Sequence, residues 1–176
     1  MTFEKIHLKL HRKDFIPAEN LLPIVKEKGN YDRFIDLLTK VGEDSKWDLR
    51  EVYYNPLTIK SLKQTFAKKS SSLWVFKNKD KDVGFCQTAP VEDLTTLFNQ
   101  SSGISEIYKI GLFPEYIGKG LGKSYLTSVL TEIFKNHHTV YLNTRDTNVV
   151  NSVPFYQKLG FEVFKTEILP NDLIHG

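Results

Sequence analysis

The chain has 176 residues, a net charge of +3, and 40% hydrophobic and 26% charged side chains. These values indicate one ordinary soluble globular domain, 1–176, that is long enough to bury its own core. The lysines are too spread for a nucleic-acid surface, and no apolar run approaches the roughly 20 residues of a membrane span. The single Cys86 excludes an internal disulfide framework, and the charged N-terminus does not resemble a secretory signal. We therefore expect a cytoplasmic protein with no nucleic-acid and no membrane partner.

The first part of the chain combines one strand pattern with helical patterns. Residues 3–10 alternate apolar and polar side chains, which predicts a strand. Residues 17–28 begin with Pro17 and are followed by Gly29, two residue types that favour the start and the end of a helix. Residues 31–41 and 56–69 carry apolar side chains at helical spacing, which predicts two further helices.

The middle of the chain predicts a hairpin and a third strand. Residues 72–76 and 83–87 are strand-like, and the polar segment between them favours a turn. Residues 92–99 allow one or two helical turns. Residues 105–113 then read as a strand that ends at Pro114.

The C-terminal part alternates helices and strands. A glycine cluster at 118–122 leads into an amphipathic helix that extends to residue 134. A strand at 139–144, a helix at 149–159 before Gly160, and a strand at 161–169 follow. This alternation predicts an α/β sheet with at least one parallel pair of strands.

The glycine cluster is the most informative segment. Gly118, Gly120 and Gly122 allow a sharp turn and a close approach of the backbone to a ligand. The free N–H groups and the dipole of the following helix favour an anion, and Lys119 and Lys123 add positive charge. A diphosphate is the expected ligand. The alternative is a glycine-rich turn that binds nothing.

Two other phosphate-binding motifs fit this segment poorly. Gly122-Lys123-Ser124 matches the end of a P-loop, but Ile117 stands where the first glycine belongs. The dinucleotide fingerprint G-x-G-x-x-G fails from both possible starting glycines, because its last position is Lys123 or Tyr125.

Residues 111–126 instead resemble motif A of the GNAT superfamily of acyl-CoA-dependent N-acyltransferases, which is Q/R-x-x-G-x-G/A after a strand. Gly120 and Gly122 take the two small positions, and Ile117 replaces the usual Gln or Arg. Residues 148–161 resemble motif B, an Asn followed by a helix that ends in Y-x-K-x-G-F. The two motifs stand in the family's order, and the resemblance covers roughly 72–167.

The resemblance implies a mixed, mostly antiparallel α/β (α+β) sheet with a central splayed pair of parallel strands, flanked by helices. Residues of about 1–70 would shape the acceptor site, and residues of about 72–169 would form the acyl-CoA-binding core. The strand before the loop would pair with the pantetheine arm, and a backbone N–H near Leu112 would bind the developing oxyanion. Gly111 suits a bulge in that strand, although a simple loss of side chain for packing is the alternative.

The resemblance assigns acetyl-CoA contacts to three groups of residues, and no metal. They are Ile110, Gly111 and Leu112 in the strand; Ile117, Gly118, Lys119, Gly120, Leu121, Gly122, Lys123 and Ser124 in the loop and helix start; and Asn148 or Asn151 at the pantetheine amide.

The resemblance also assigns two catalytic side chains. Tyr156 matches the family tyrosine near the thioester sulfur, although it could be a core aromatic. Glu106 falls where several members keep a glutamate general base, although it could be an exposed residue at a strand start. Strict alternation places Glu106, Tyr108 and Ile110 on one face of the strand.

The sequence therefore predicts an N-acetyltransferase in which a primary amine attacks acetyl-CoA directly in a ternary complex. The acceptor is a small-molecule or peptide amine, and the resemblance also allows a homodimer. A non-catalytic acyl-CoA-binding module and a nucleoside-triphosphate binder are the alternatives.

Overall fold

The structure is a computed structural model. It describes residues 2–28, 30–42, 60, 63–64, 66, 71–91, 97–99, 102–146 and 152–170. The predicted helix at 56–69 and the predicted turns at 92–99 lie largely outside these residues.

One mixed sheet of seven strands forms the centre of the described structure, with the strand order β2-β3-β4-β5-β6-β1-β7. All neighbouring strands are antiparallel except β5 and β6. In chain order the strands are β1 (Thr2–His11), β2 (Ile24–Lys28), β3 (Ser72–Asn78), β4 (Lys81–Pro90), β5 (Ile104–Leu112), β6 (Thr139–Asp146) and β7 (Glu162–Pro170).

Helices cover both faces of this sheet. Among the described residues they are α1 (Tyr31–Gly42), α2 (Leu121–Ile133) and α3 (Val153–Gln157). The helix α1 packs through Phe34, Leu37 and Leu38 against Val75 and Phe85, and we call this side the α1 face. The opposite side is the α2–α3 face, where α2 and α3 bury the larger apolar cluster of the protein.

The strand β1 shows how the two faces differ in chemistry. Neighbouring residues of a strand point to opposite faces. Leu8 is fully buried in the cluster of the α2–α3 face. His7 points to the α1 face, where it hydrogen-bonds Tyr141 of β6. The α2–α3 face is therefore an apolar core at this position, whereas the α1 face carries buried polar groups.

The parallel pair β5–β6 is short. Its pairing runs only from Ile104 with Thr139 to Glu106 with Tyr141. The strand β5 continues to Leu112, paired on its other side with β4. The two parallel strands therefore separate beyond Glu106, which confirms the predicted splayed pair and the predicted α/β class.

A bulge interrupts β5 just beyond this point. The β4–β5 register shifts between Gln87 and Thr88, which lie opposite Lys109 and Ile107, so that Tyr108 is the extra residue of the bulge. The prediction that Glu106, Tyr108 and Ile110 share one face is wrong for this reason. Glu106 lies on the α1 face, whereas Ile110 packs against the core of the α2–α3 face. A β-bulge also bends its strand and increases its twist.

Gly111 is not the site of that bulge, because it pairs regularly with Phe85. A Cβ at Gly111 would collide with the side chain of Val41 on α1. The glycine is therefore needed for the close approach of α1 to β5. The packing alternative for Gly111 is the one that the structure supports.

One predicted helix is wrong. Residues 17–28 were predicted to be helical, but they form an irregular segment followed by β2. Pro23 lies inside the interval, where it would remove a helical hydrogen bond and clash with the preceding turn. Its carbonyl instead accepts a hydrogen bond from Lys77 N at 3.0 Å, and Ile24 begins the ladder with β3.

We predict that Gly111→Ala destabilises the protein by about 1–3 kcal/mol, as expected for overpacking. In a Val41→Ala background the same substitution should cost less than half as much, because the colliding methyl groups are gone. Urea unfolding of the four variants of this cycle measures both costs. Gly84→Ala is the matched control, because its Cβ would meet the backbone of Gly111, which Val41→Ala leaves in place. Equal costs of Gly111→Ala in both backgrounds would refute the packing explanation.

Candidate active site

The glycine loop adopts the conformation that glycine alone readily supplies. It follows the 3-10 turn Pro114–Tyr116 and precedes α2. Gly118 and Gly120 have φ values of +80° and +73°, and this left-handed region costs other residues roughly 1–2 kcal/mol. A Cβ on either glycine would meet no atom within 4 Å. These two glycines are therefore required by backbone conformation and not by crowding.

The loop ends at an open helix N-terminus. Gly120 is the N-cap of α2 and has no side chain that could cap the helix. The first turn of α2, all of whose residues the structure describes, contains no acidic residue. The first N–H groups of a helix lack intrahelical partners, and the helix dipole makes this end electropositive. The exposed Lys119 and Lys123 flank it. This donor set fits a diphosphate, with Ser124 also exposed beside it.

The N-terminus of α2 adjoins the end of β5 and the helix α3. An ideal Cβ on Gly122 would lie 3.7 Å from the ring of Phe155 on α3 and 3.8 Å from Leu112 at the end of β5. The first turn of α2 therefore contacts the strand that was predicted to bind pantetheine and the helix that carries Tyr156. Ile110 and Leu112 pack partly buried against the core, and Ile117 is 62% exposed.

Tyr156 lies on the α2–α3 face and is 8% exposed. Its ring contacts those of Phe155 and Phe161 edge-on, at centroid distances of 5.2 and 5.7 Å. Burial raises the pKa of the Tyr156 phenol, and the neighbouring Cys86 raises it further. Cys86 pairs with Ile110 of β5, and Ile110 packs against the apolar cluster to which Tyr156 belongs. Tyr156 is thus a core aromatic whose phenol is buried.

Glu106 lies on the α1 face at the last paired position of β5 and β6. It is 6% exposed, so the alternative of an exposed residue at the strand start is wrong. The Nδ2 of Asn143 donates to Glu106 Oε1 over 3.5 Å. A buried carboxylate at the point where the strands part could accept a proton from a group held in the gap.

The structure thus places Glu106 and Tyr156 on opposite faces of the sheet, with Glu106 at the point where β5 and β6 part. A reacting group in the gap would have a carboxylate on one side and a phenol on the other. Such an arrangement provides one proton acceptor and one hydrogen-bond donor, which are the two functions that acyl transfer to an amine requires.

The sequence did not predict a polar cluster that adjoins Glu106. His7 Nδ1 lies 2.7 Å from the Tyr141 hydroxyl, and His7 Nε2 lies 2.7 Å from Glu167 Oε2. Asn143 Nδ2 also donates to the Tyr141 hydroxyl over 3.3 Å. These residues come from separate strands, far apart in the chain, so no short motif reveals them. The only available signal was the polar alternation of Tyr141 and Asn143 on a predicted strand.

Burial and charge set the ionisation of this cluster. Burial lowers the pKa of His7 below its ordinary value of 6.5, although hydrogen bonding to Glu167 acts in the opposite direction. The hydrogen bonds from Lys165 and then His7 lower the pKa of Glu167 from 4.5 to about 2. At neutral pH the stable pair is therefore a neutral imidazole and an ionised carboxylate.

Three further expectations concern the two asparagines, a metal ion and a membrane span. Asn148 and Asn151 lie outside the described residues. Among the residues that are described, no group of three or more His, Cys, Asp or Glu side chains is arranged to hold a metal ion. Within the same ranges, no helix has the length and the apolar character needed to cross a membrane.

Comparison with known proteins gives the family. The profile of the Acetyltransferase (GNAT) family matches residues 39–161, which is more than half of the chain. A comparison with curated proteins gave no match. The chain belongs to the GNAT acetyltransferase family.

Solved structures share the fold at low sequence identity. A functionally unknown conserved protein from Staphylococcus epidermidis has a TM-score of 0.63 and 10% identity, and the match covers 96% of this chain and 60% of that one. A GCN5-related N-acetyltransferase from Sphaerobacter thermophilus has a TM-score of 0.58 and 15% identity, with 96% and 50% covered. A GNAT-family protein from Desulfovibrio desulfuricans has a TM-score of 0.54 and 16% identity, with 81% and 87% covered. The chain thus spans 50–60% of the length of the first two structures.

We predict that the stability of the protein falls in mild acid because of His7. Below pH 6.5 the unfolded chain binds a proton at this position that the folded protein resists, so the folded state loses stability as pH falls. Glu167 adds a further loss as pH falls below 4.5 towards 2. Urea unfolding at pH 8, 7, 6 and 5 measures the free energy of unfolding.

The matched variant is His7→Gln, which cannot titrate. Its free energy of unfolding should change less than that of the native protein between pH 7 and 5. Parallel curves for the two proteins over this interval would contradict the prediction.

Proposed function

We propose that this protein transfers an acetyl group from acetyl-CoA to a primary amine, by direct attack within a ternary complex. The observation that carries the proposal is the gap between β5 and β6, with Glu106 on one face, Tyr156 on the other and an open helix N-terminus at its end. Membership of the GNAT acetyltransferase family supports acyl transfer in general. The donor, the acceptor and the mechanism are inferred from the site.

The donor would lie along the end of β5. The loop from Ile117 to Ser124 would hold the diphosphate through backbone N–H groups and the two lysines. The backbone from Ile110 to Leu112 would pair with the pantetheine arm. Asn148 or Asn151 remains the proposed partner of a pantetheine amide. On this proposal, about 72–169 form the donor core and about 1–70 shape the acceptor site.

Separate groups of this protein would accept the proton and stabilise the developing charge. As the amine nitrogen bonds to the thioester carbon, Glu106 accepts the proton that the nitrogen loses. A backbone N–H near Leu112 donates to the carbonyl oxygen as charge builds there. Holding both substrates in one gap removes much of the entropic cost of their encounter.

Tyr156 would donate a hydrogen bond to the leaving thiolate. An ordinary tyrosine has a pKa of about 10 and a thiol about 8.5, so full proton transfer is already uphill. Because burial raises the pKa of Tyr156 further, we assign it a stabilising hydrogen bond in place of complete proton transfer.

The acceptor is a small molecule or a peptide that carries a primary amine. The homodimer and the cytoplasmic location also remain proposals. They rest on the family resemblance and on the single, buried Cys86, which is consistent with a reducing compartment.

We expect acetyl-CoA and CoA to raise the melting temperature of the protein, and Mg-ATP to leave it unchanged. A ligand at 100 times its Kd stabilises a protein by about 2.7 kcal/mol. Thermal unfolding with each ligand makes the comparison. A response to Mg-ATP alone would replace the proposal with a nucleoside-triphosphate binder.

The variant Gly120→Ala locates that binding. Forcing a side chain into the left-handed conformation should distort the loop and remove most of the CoA-induced shift. Gly103→Ala is the matched control, because Gly103 is also left-handed, with φ of +82°, and precedes the opposite end of β5. It should lower the melting temperature but keep the full CoA-induced shift. A full shift in Gly120→Ala would remove the loop from the donor site.

We predict that Tyr156→Phe lowers kcat at least about tenfold, a typical loss for one acid–base or hydrogen-bonding group. The affinity for acetyl-CoA should be unchanged, because the hydroxyl acts on the leaving sulfur. Thiol release from acetyl-CoA, with a polyamine, an amino acid or a lysine peptide as acceptor, measures turnover. Unchanged turnover would exclude Tyr156 from the mechanism. Binding of acetyl-CoA without any amine-dependent thiol release would favour the non-catalytic module.

A further inference from the structure

The hydrogen-bond network beside Glu106 has only one consistent arrangement of its hydrogens at neutral pH. Asn143 Nδ2 carries two hydrogens, and its two contacts are Tyr141 Oη at 3.3 Å and Glu106 Oε1 at 3.5 Å. The Tyr141 oxygen is therefore an acceptor from Asn143. The carboxylate of Glu167 can only accept, so His7 Nε2 carries the hydrogen of the neutral ring, and Nδ1 accepts the Tyr141 hydrogen at 2.7 Å.

The state of His7 follows from this arrangement. If Nδ1 accepts from Tyr141, the proton of the neutral ring must be on Nε2, which donates to the carboxylate of Glu167 at 2.7 Å. His7 is 2% exposed, so water does not readily substitute for either partner. We call this ordered series, Glu167–His7–Tyr141–Asn143, the β-sheet relay chain; it ends on Glu106.

We propose that the β-sheet relay chain orients Glu106 as the proton acceptor only while His7 is neutral. His7 and Tyr141 are then positioning residues of the acetyl transfer, and acid disrupts their effect. This inference rests on the proposed function, in which Glu106 takes the proton from the amine.

Protonation of His7 would reverse the direction of the hydrogen bond between His7 and Tyr141. A doubly protonated ring must donate from Nδ1, so the Tyr141 oxygen becomes its acceptor and the Tyr141 hydrogen turns elsewhere. Glu106 pairs with Tyr141 across the two strands and interacts with it electrostatically. A hydrogen bond from Tyr141 to Glu106 would stabilise the ionised carboxylate and so weaken it as the acceptor of the substrate proton.

The charges around His7 determine when this reversal occurs. Among the described residues, Lys5 and Lys9 lie on the same face of β1, and Lys165 and Glu167 lie on β7. Lys5 and Lys165 oppose protonation of the ring and Glu167 favours it, but burial is the largest effect and favours the neutral ring. The β-sheet relay chain is therefore intact at pH 7, and the hydrogen bond between His7 and Tyr141 reverses in the acid range.

The first test removes the Tyr141 hydroxyl. Tyr141→Phe keeps the ring contacts with Phe98 and Phe164, but it breaks the chain. We expect kcat to fall about tenfold or more, as misplaced catalytic groups do, with KM for acetyl-CoA unchanged. The matched control is Tyr125→Phe, which also removes the hydrogen bond of a buried tyrosine, the one from its hydroxyl to the Lys77 carbonyl. Equal losses of kcat in the two variants would overturn the inference.

The second test separates positioning from a structural role by the pH profile. His7→Gln can both donate and accept, as the neutral ring does, but it cannot be protonated. We expect kcat at pH 8 to exceed that of Tyr141→Phe, and the acid limb of kcat to lie at lower pH, or to be less steep, than that of the native protein. An acid limb identical to the native one would overturn the role of His7.

A third measurement does not depend on activity. Imidazole ¹⁵N spectra of the protein, with the His7 signals assigned by their loss in His7→Gln, report which ring nitrogen carries the proton. We expect the Nε2–H form at pH 7.5, and a mixture of the two forms in Tyr141→Phe. A protonated ring or the Nδ1–H form in the native protein would overturn the inference, even if acetyl transfer is normal. Failure of the native protein to acetylate any amine would overturn the proposed function, and with it the catalytic role of the chain.

Discussion

The early end of the β5–β6 pairing is the constraint on which the rest of the site depends. If the parallel ladder continued beyond Glu106 and Tyr141, its hydrogen bonds would close the sheet and leave no gap. Two features hold β5 away from β6: its continued pairing with β4 and the close contact of α1 with Gly111. The bend introduced at Tyr108 acts in the same direction. The open segment is therefore maintained by packing on its other side, and substrates need not create it.

The two faces of the sheet differ in chemistry near that gap. The α2–α3 face buries the larger apolar cluster, and this burial raises the pKa of the Tyr156 phenol. The α1 face instead buries Glu106, His7 and Tyr141 among hydrogen-bond partners. Burying polar groups is costly unless their hydrogen bonds are satisfied. In the described residues no buried side-chain nitrogen or oxygen lacks a partner, so this cost is offset and the network can be rigid.

Much of the fold could be predicted from the sequence because its signals are local. The hairpin of β3 and β4, the glycine loop and α2 each follow from residue types within a few positions of one another. The structure of the segment 17–28 could not be predicted, because the pairing of Ile24 and its neighbours with β3 overrides the helix signals of Pro17 and Gly29. The register of β5 could not either, since alternation cannot reveal a bulge that depends on β4. The contacts of His7 were equally hidden, because they join strands that meet only in the finished sheet. The roles of Tyr156 and Glu106 came from motif resemblance, and the structure adds their burial and their opposite faces.

The bulged residue Tyr108 gives β5 an unusual tolerance to changes in length. Deleting any other residue between Ile107 and Leu112 would shift the strand end by about 3.3 Å and reverse the faces of the residues beyond the deletion. Deleting Tyr108 would leave each partner on β4 unchanged, because the register passes directly from Ile107 opposite Thr88 to Lys109 opposite Gln87. The local bend would be lost, which would change the geometry of the gap between β5 and β6. The bulge is therefore a position at which an insertion or deletion would change the geometry of the gap while the register of β5 with β4 is kept.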